Sequence, residues 1–422
     1  GQTIAVEADR LSVWCGTWNM HAAAAGELQL ADWISAGHDV YAIATQEAER
    51  SIARSMMFSA KPRWEAALKG LFGITLPCGH EDDEYVMLAT QDVGAVHIAL
   101  VLRRALLPSV SYVRTAAVHA GFIGGLLPNK GGAAIACNIG QDSYLFVSAH
   151  LAPHTKASQH RDWQFELIDR ELHARLVEPT VCLPCVPRVA CHTPGASASA
   201  AFDCVFWMGD LNYRVELAKE EAQRLTMPSA DDVSRSGFAT RADYDHAALQ
   251  RLLAADQQKR PQSAPMRAGF SEMPISFWPT YKLDRKSGYA RYKFQHRNRL
   301  KQTLRLPSFT DRVLYRSVES EAILPVTYDA CTANALRVSD HRPVSATFLV
   351  QVSLPSMEQS VPSPMHSPSV WVGHRRHWLR CPGTVAEISQ LLLRPRTNGD
   401  GVDGGLEPAA AAASSQEELG RC

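Results

Sequence analysis

No stretch of this sequence approaches the roughly 18 consecutive apolar residues of a transmembrane helix, so no span is expected. Net charge is missing as well: 43 basic residues balance 43 acidic ones over 422 positions. A neutral chain carries no global field to gather nucleic acid, and any pull on polyanions must come from local patches. The opening residues GQTIAVEADR lack the charged start and apolar stretch of a signal peptide. They also lack an initial Met, which fits a domain excised from a longer protein with its targeting upstream. Ten cysteines are present, but without the spacing of a disulfide framework. Cys15, Cys137 and Cys204 lie in apolar runs, where a thiol acts as a small hydrophobe and suits a reducing compartment. Cys182, Cys185, Cys191 and His192 come nearest to a zinc pattern. A single C-x-x-C interleaved with prolines matches it poorly, and an insertion loop is the expectation.

Apolar residues make up 46% of the chain and charged residues 20%, enough for a large core. Short β-rich runs recur at 11–20, 40–47, 94–104, 131–140 and 143–151, and again at CVFWMGDLN, RVLYRS and VSATFLVQV. Several are apolar on both faces, as in strands covered on both sides. Between them, 157–176 and 242–260 have helical spacing. The alternation predicts layered α/β architecture around central sheets. Residues 178–203, rich in Pro, Ser, Ala and Cys, read as an insertion, as does the basic stretch 283–305. From residue 353 the composition turns to Pro, Ser, Gly and Ala. The expectation is a folded domain over 1–352 and a largely disordered tail over 353–422.

Polar residues collect where the predicted strands end. Asn19 closes the first, Glu47 the second, and His150 the run 143–151. Asp210 and Asn212 follow Gly209, and an extended chain points residues two apart to the same face. Asp311 just precedes RVLYRS, and Asp340-His341 the last strand. Each alone has a plain structural explanation: a turn, a helix cap, a core histidine. Together they form a chemical inventory. Glu and Asn supply hard oxygens suited to Mg²⁺, Asp-x-Asn can orient or deprotonate a water, and a His backed by an Asp can bind or protonate a phosphoryl oxygen. No Ser or Cys nucleophile belongs to the set, which favours direct water attack on a phosphate ester.

The segments TWNM, ATQE, PNKGGAAI, VSAHLAPH, FWMGDLNYR, WPTYK, LPSFTDRVLY and SDHRPV occur in that order. They resemble the inositol polyphosphate 5-phosphatases, a branch of the endonuclease/exonuclease/phosphatase superfamily, from about Leu11 to Val352. The resemblance implies a DNase I-like fold: a four-layer α/β sandwich of two packed mixed sheets flanked by helices. It implies that Glu47 binds Mg²⁺ with Asn19 beside it, that Asp210 activates water, and that Asn212 orients the water or the phosphate. His341 would contact the scissile phosphate with Asp311 on its other ring nitrogen. His150 would stabilise the phosphate, and Asp340 would lie near the metal.

Lys130, Tyr213, Arg214, Tyr281 and Lys282 resemble the residues lining the family's inositol-phosphate pocket. Family members usually carry K-x-R-x-P for the 4-phosphate; here Arg305 is kept, Thr303 replaces the lysine, and Lys301 lies just upstream. The expected substrates are phosphoinositides or soluble inositol polyphosphates, with no nucleic acid. Nine Lys or Arg against one Asp over 282–305 would attract an anionic membrane, at about 1 kcal/mol per cation near the surface. Phe122, Ile123, Leu126 and Leu127, in the loop before Lys130, are expected to meet lipid. The expected location is cytoplasmic and peripheral at membranes. A nuclease of the same superfamily and a catalytically decayed binding module are the competing readings.

Overall fold

The computed structural model describes residues 10–24, 28–49, 61–75, 83–121, 130–177, 196–227, 229, 231, 235, 241–285, 292–297 and 302–352. The proposed lipid-facing Phe122, Ile123, Leu126 and Leu127, the Cys182–His192 cluster, Lys301 and the tail lie outside them.

The first half of the chain gives β1 (Arg10–Asn19), β2 (Val40–Gln46), α1 (Pro62–Leu71), β3 (Tyr85–Val93), β4 (Val96–Arg103), β5 (Val110–His119), β6 (Gly131–Ile139), β7 (Asp142–His150) and α2 (Ser158–Leu176). The second half gives β8 (Cys204–Asp210), α3 (Lys219–Thr226), α4 (Arg241–Ala254), α5 (Ala264–Arg267), β9 (Gln295–Arg297), β10 (Gln302–Leu304), β11 (Asp311–Ser317), β12 (Ile323–Ala330) and β13 (Val344–Gln351). A six-stranded sheet runs β12-β13-β1-β2-β4-β3 and a five-stranded sheet β11-β8-β7-β6-β5. Each is mixed: β1 runs parallel to β2, and β7 to β8, among antiparallel neighbours.

The pleat explains the layers. In β2, Val40, Ala42 and Ala44 enter the core shared by the two sheets, while Tyr41 and Ile43 face the outer layer with Trp64 and Leu68 of α1. In β8, Cys204, Phe206 and Met208 face the shared core, whereas Val205 and Trp207 pack with Phe165, Ile168 and Leu172 of α2. Strands buried on both faces read as unbroken apolar runs for this reason. The result is the four-layer sandwich expected from the sequence. Among the described residues no helix is long and apolar enough to cross a membrane.

Two boundaries differ from expectation. α4 stops at Ala254 rather than near 260, because the chain turns inward there and buries Asp256 and Gln257. The stretch read as an insertion over 178–203 also contributes structure at its end: Ala198 and Phe202 enter the outer core. Ser199 there donates from N and Oγ to the Asp169 carboxylate at 2.8 and 2.6 Å.

Candidate active site

Three neighbouring strands of the five-stranded sheet end in one row. Register places His150 of β7 beside Asp210 of β8, and Asp210 beside Asp311 of β11. Lys130 immediately precedes β6, whose first residue, Gly131, pairs with His150. In the facing sheet Asn19 ends β1 opposite Gln46, the last residue of β2, and Glu47 follows. Backbone bonds from Met20 N to Gln46 O and from Ala22 N to Glu47 O, both 2.8 Å, tie those strand ends together. The two sheets meet through polar groups here: Asn19 Nδ2 donates to Asp210 Oδ2 at 3.0 Å, and Gln46 Nε2 to Ser148 Oγ at 3.3 Å.

Gly209 permits the close approach of β8 to β7. A Cβ on it would lie 1.9 Å from Ala149 O, a backbone atom with nowhere to go. Asn212 then adopts φ 57°, a left-handed conformation that Asn tolerates better than most residues. Alternation persists past the strand: Asp210, Asn212 and Arg214 serve the site, while Leu211 and Tyr213 enter the outer core. Arg214 donates through Nε to Asn212 O at 3.1 Å and through a terminal nitrogen to Asn212 Oδ1. Its guanidinium lies 4.5 Å from the Tyr281 ring centre.

Opposing charges organise the centre. His341 packs on Tyr281 with ring centres 4.5 Å apart, and its Nδ1 donates to Asp311 Oδ2 at 2.9 Å. Asp311 is braced in turn by Thr280 Oγ1 at 2.6 Å and Thr310 Oγ1 at 2.9 Å. Burial would push the imidazole down, but Asp311, Asp210 and Asp340 bring it up to about 10, so His341 is a cation at neutral pH. For Asp210 burial pulls upward, yet His150, His341 and Lys130 hold the carboxyl well below the usual range. Its Oδ2 takes the Asn19 bond and lies 3.2 Å from His150 Nε2. Its Oδ1 accepts no hydrogen bond among the described residues, although Asp210 is only 2% exposed. His150 Nε2 also touches Lys130 Nζ. Burial brings Lys130 down to about 8 against the pull of Asp210 and Glu47.

Asp340 pairs with Lys282 Nζ and lies 3.4 Å from His21 Nδ1. Burial would raise it, but His341, Lys282 and His21 hold it at about 2. A cleft of about 550 Å³ opens beside it, rimmed by His21, Lys282, Asp284, Arg285, Lys293 and Arg337. Ligating atoms of Asp210, Asp311 and His341 fall within 4.8 Å of one another, but a protonated imidazole bound to Asp311 donates rather than ligates. A hard divalent cation is better matched by Asn19 and Glu47, leaving the open Oδ1 of Asp210 to a water. Glu47 is half-buried, and its charge reaches both Lys130 and His150.

Residues 16–347 match the profile of endonuclease/exonuclease/phosphatase family 2. The chain belongs to that family. It is 31% identical over 277 residues to type I inositol polyphosphate 5-phosphatase 5 of Arabidopsis thaliana, covering 65% of this chain and 45% of that one. It is 28% identical over 349 residues to human phosphatidylinositol polyphosphate 5-phosphatase type IV, covering 81% and 46%. It thus spans less than half the length of these relatives. Among solved structures, the inositol polyphosphate 5-phosphatase domain of SPsynaptojanin, bound to inositol (1,4)-bisphosphate and calcium, aligns with TM-score 0.57 at 24% identity, over 84% of this chain and 88% of that one. A Cimex nitrophorin in a ferrous NO complex aligns with TM-score 0.52 at 21% identity, over 81% and 99%. These structures speak for the fold alone. A fold shared with a nitrophorin leaves the chemistry to be argued from the site.

Within this endonuclease/exonuclease/phosphatase framework the structure gathers Asn19, Glu47, Lys130, His150, Asp210, Asn212, Arg214, Tyr281, Lys282, Asp311, Asp340 and His341 at one end of the two sheets. Tyr213 is a correction. It was expected to line the substrate pocket, but alternation turns it to the helical layer, where its hydroxyl donates to Asp162 Oδ1 at 2.7 Å. Asn212 also differs in emphasis: its amide donates to Leu151 O at 3.1 Å and its oxygen holds Arg214. Arg305 contacts His154 at the rim. Sequence reasoning gave no role to Thr280, Thr310 or Ser339. Ser339 Oγ donates to Asn19 O at 2.5 Å and accepts from His341 N at 3.1 Å, linking the two halves of the site. All three stand inside the quoted motifs, one letter from a residue that was assigned.

Proposed function

We propose that this chain hydrolyses the 5-phosphate of a phosphorylated inositol, lipid-borne or soluble, using Mg²⁺ held by Glu47 and Asn19. One observation carries the reading: a buried carboxylate with an open oxygen, Asp210, stands among His150, Lys130 and a His341 that is charged at neutral pH. A monoester brings more negative charge than a diester, and Lys130, Arg214, Lys282 and His341 supply the countercharge around one spot. The names of the relatives support the same substrate class.

Bound Mg²⁺ would neutralise charge on the phosphoryl group. The chain's own residues do the rest. Asp210 Oδ1 accepts a proton from the attacking water, whose oxygen forms the new bond to phosphorus as the phosphorus–inositol oxygen bond breaks. The departing inositol oxygen takes up a proton from solvent water and leaves as the alcohol. A carboxyl held this low is fully ionised at neutral pH, so Oδ1 carries no proton when the water arrives. His341 donates Nε2–H to a phosphoryl oxygen while Asp311 fixes the ring through Nδ1. Arg214, laid on Tyr281 and braced by Asn212, presents a fixed guanidinium.

The test is phosphate release from vesicles carrying 4,5-bisphosphorylated or 3,4,5-trisphosphorylated phosphatidylinositol and from soluble inositol 1,4,5-trisphosphate, with Mg²⁺ or with chelator. Asp210→Asn is expected to lower turnover by about 100- to 10,000-fold. Full activity in that variant, or cleavage of DNA with every inositide untouched, overturns the reading.

A further inference from the structure

Just past the end of α4 the chain buries an amide among charges. Gln257 is 2% exposed, and its backbone runs antiparallel to the segment leaving β8. Gln257 N donates to Arg214 O at 3.0 Å, and Glu216 N to Ala255 O at 2.9 Å. The side chain uses every hydrogen-bonding capacity an amide has. Its Oε1 accepts from Arg214 N at 3.0 Å and from a terminal nitrogen of Arg161. Its Nε2 donates to Thr155 O at 2.8 Å and to Glu216 Oε1. The partners of Oε1 can only donate and those of Nε2 can only accept, so the amide fits in one orientation.

That amide joins the two loops that leave the active-site strands β7 and β8. Arg161 of α2, itself fully buried, donates NH1 to Ala152 O at 3.0 Å and to His154 O at 2.7 Å. The loop after β7 is therefore tied to Gln257 twice, directly at Thr155 and through this guanidinium. On the β8 side the tie falls on the backbone of Arg214. Asn212 and Tyr281 hold the far end of the Arg214 side chain. Gln257 holds the near end, at N and O alike. A cation fixed at both ends has one place to stand.

We propose that Gln257 is a positioning residue for Arg214, fixing the stem of the side chain whose guanidinium meets the phosphate. The inference rests on the 5-phosphatase reading. It gives Gln257 no contact with substrate: the amide acts on the reacting atoms only through Arg214.

The experiment measures kcat/KM for phosphate release from soluble inositol 1,4,5-trisphosphate with Mg²⁺ present. Gln257→Met keeps the length of the side chain and removes its hydrogen bonds. It should lower kcat/KM by about 10-fold, because a small displacement of a positioned group suffices for such a loss. In an Arg214→Lys background a flexible ammonium replaces the fixed fork, and Gln257→Met should then cost no more than about 2-fold. Gln257→Asn, too short to reach both loops, is carried through the same two backgrounds if Gln257→Met fails to fold. No loss in the Arg214 background, or equal losses in both, overturns the assignment while leaving the 5-phosphatase reading intact. Wild-type protein that releases no phosphate overturns both.

Discussion

Asp311 and Arg312 are neighbours on β11, yet they belong to two buried charge clusters of different kinds. Arg312 donates Nε and NH2 to the two Glu272 oxygens at 2.6 and 2.5 Å, and NH1 to Asp256 Oδ2 at 2.5 Å and Phe309 O at 3.1 Å. Lys259 Nζ and the Tyr328 hydroxyl complete Glu272 at 2.8 and 2.9 Å. The fork is bidentate and the cluster closed, with charges paired and hydrogen bonds satisfied. Around Asp311 the pattern is the reverse. Oxygens of Asp210 and Asp340 and Nδ1 of His150 are buried without a hydrogen bond among the described residues. An unmet buried polar atom costs stability. A cluster that closes on itself holds the fold together, whereas one that leaves acceptors open is arranged for something that arrives.

The comparison breaks most sharply at Arg312. Arg312→Met leaves Asp256 and Glu272 buried without their partner, and removal of one member of a buried pair costs roughly 3–5 kcal/mol. Urea unfolding should show that loss, while the folded fraction keeps the proposed phosphatase turnover within a few-fold of wild type. A stable Arg312→Met protein that has lost turnover would mean that the two clusters act as one.

The same contrast marks how far the sequence could be read. The layers were legible because core strands such as VFWM are apolar on both faces, and the site was legible because its residues fall at the ends of those strands. Tyr213 was misplaced by adjacency: it stands between Asn212 and Arg214, but a period of two sends it to the opposite face. The Arg312 cluster was invisible, since Asp256 and Glu272 reach it from α4's end and the chain before β11, and no local pattern announces a contact across such distances. The helix expected to continue to 260 ended early for that reason: Asp256 and Gln257 turn inward to partners named only by the fold.

His341 offers a finer test, through pH. Its pKa rises from 6.5 to about 10, burial being outweighed by Asp311 first and then Asp210. A histidine raised by folding contributes stability that is fully present below pH 6.5 and is lost as pH climbs through 10. In metal-free protein, Asp311→Asn removes the largest raising partner. Wild type should be the more stable near pH 6.5, and the gap should close toward pH 10. A gap that stays constant across that range would show that Asp311 acts by packing rather than by charge.

The smallest expected effect lies one bond farther out, at Thr280. Its hydroxyl donates to Asp311 Oδ2 at 2.6 Å, but Thr310 at 2.9 Å and His341 at 2.9 Å share that oxygen. Thr280→Val therefore leaves the carboxylate paired, and the loss is one hydrogen bond among three, about 1 kcal/mol. Thr280 positions Asp311, which positions His341, so the loss should appear in kcat, at about 3- to 10-fold, with KM little changed. In the closed cluster the Tyr328 hydroxyl donates to Glu272 and accepts from Val313 N at 3.2 Å, so Tyr328→Phe should cost about 1–3 kcal/mol of stability and leave kcat alone. Equal kcat losses in the two variants would erase the distinction between a cluster that holds the fold and one that does the chemistry.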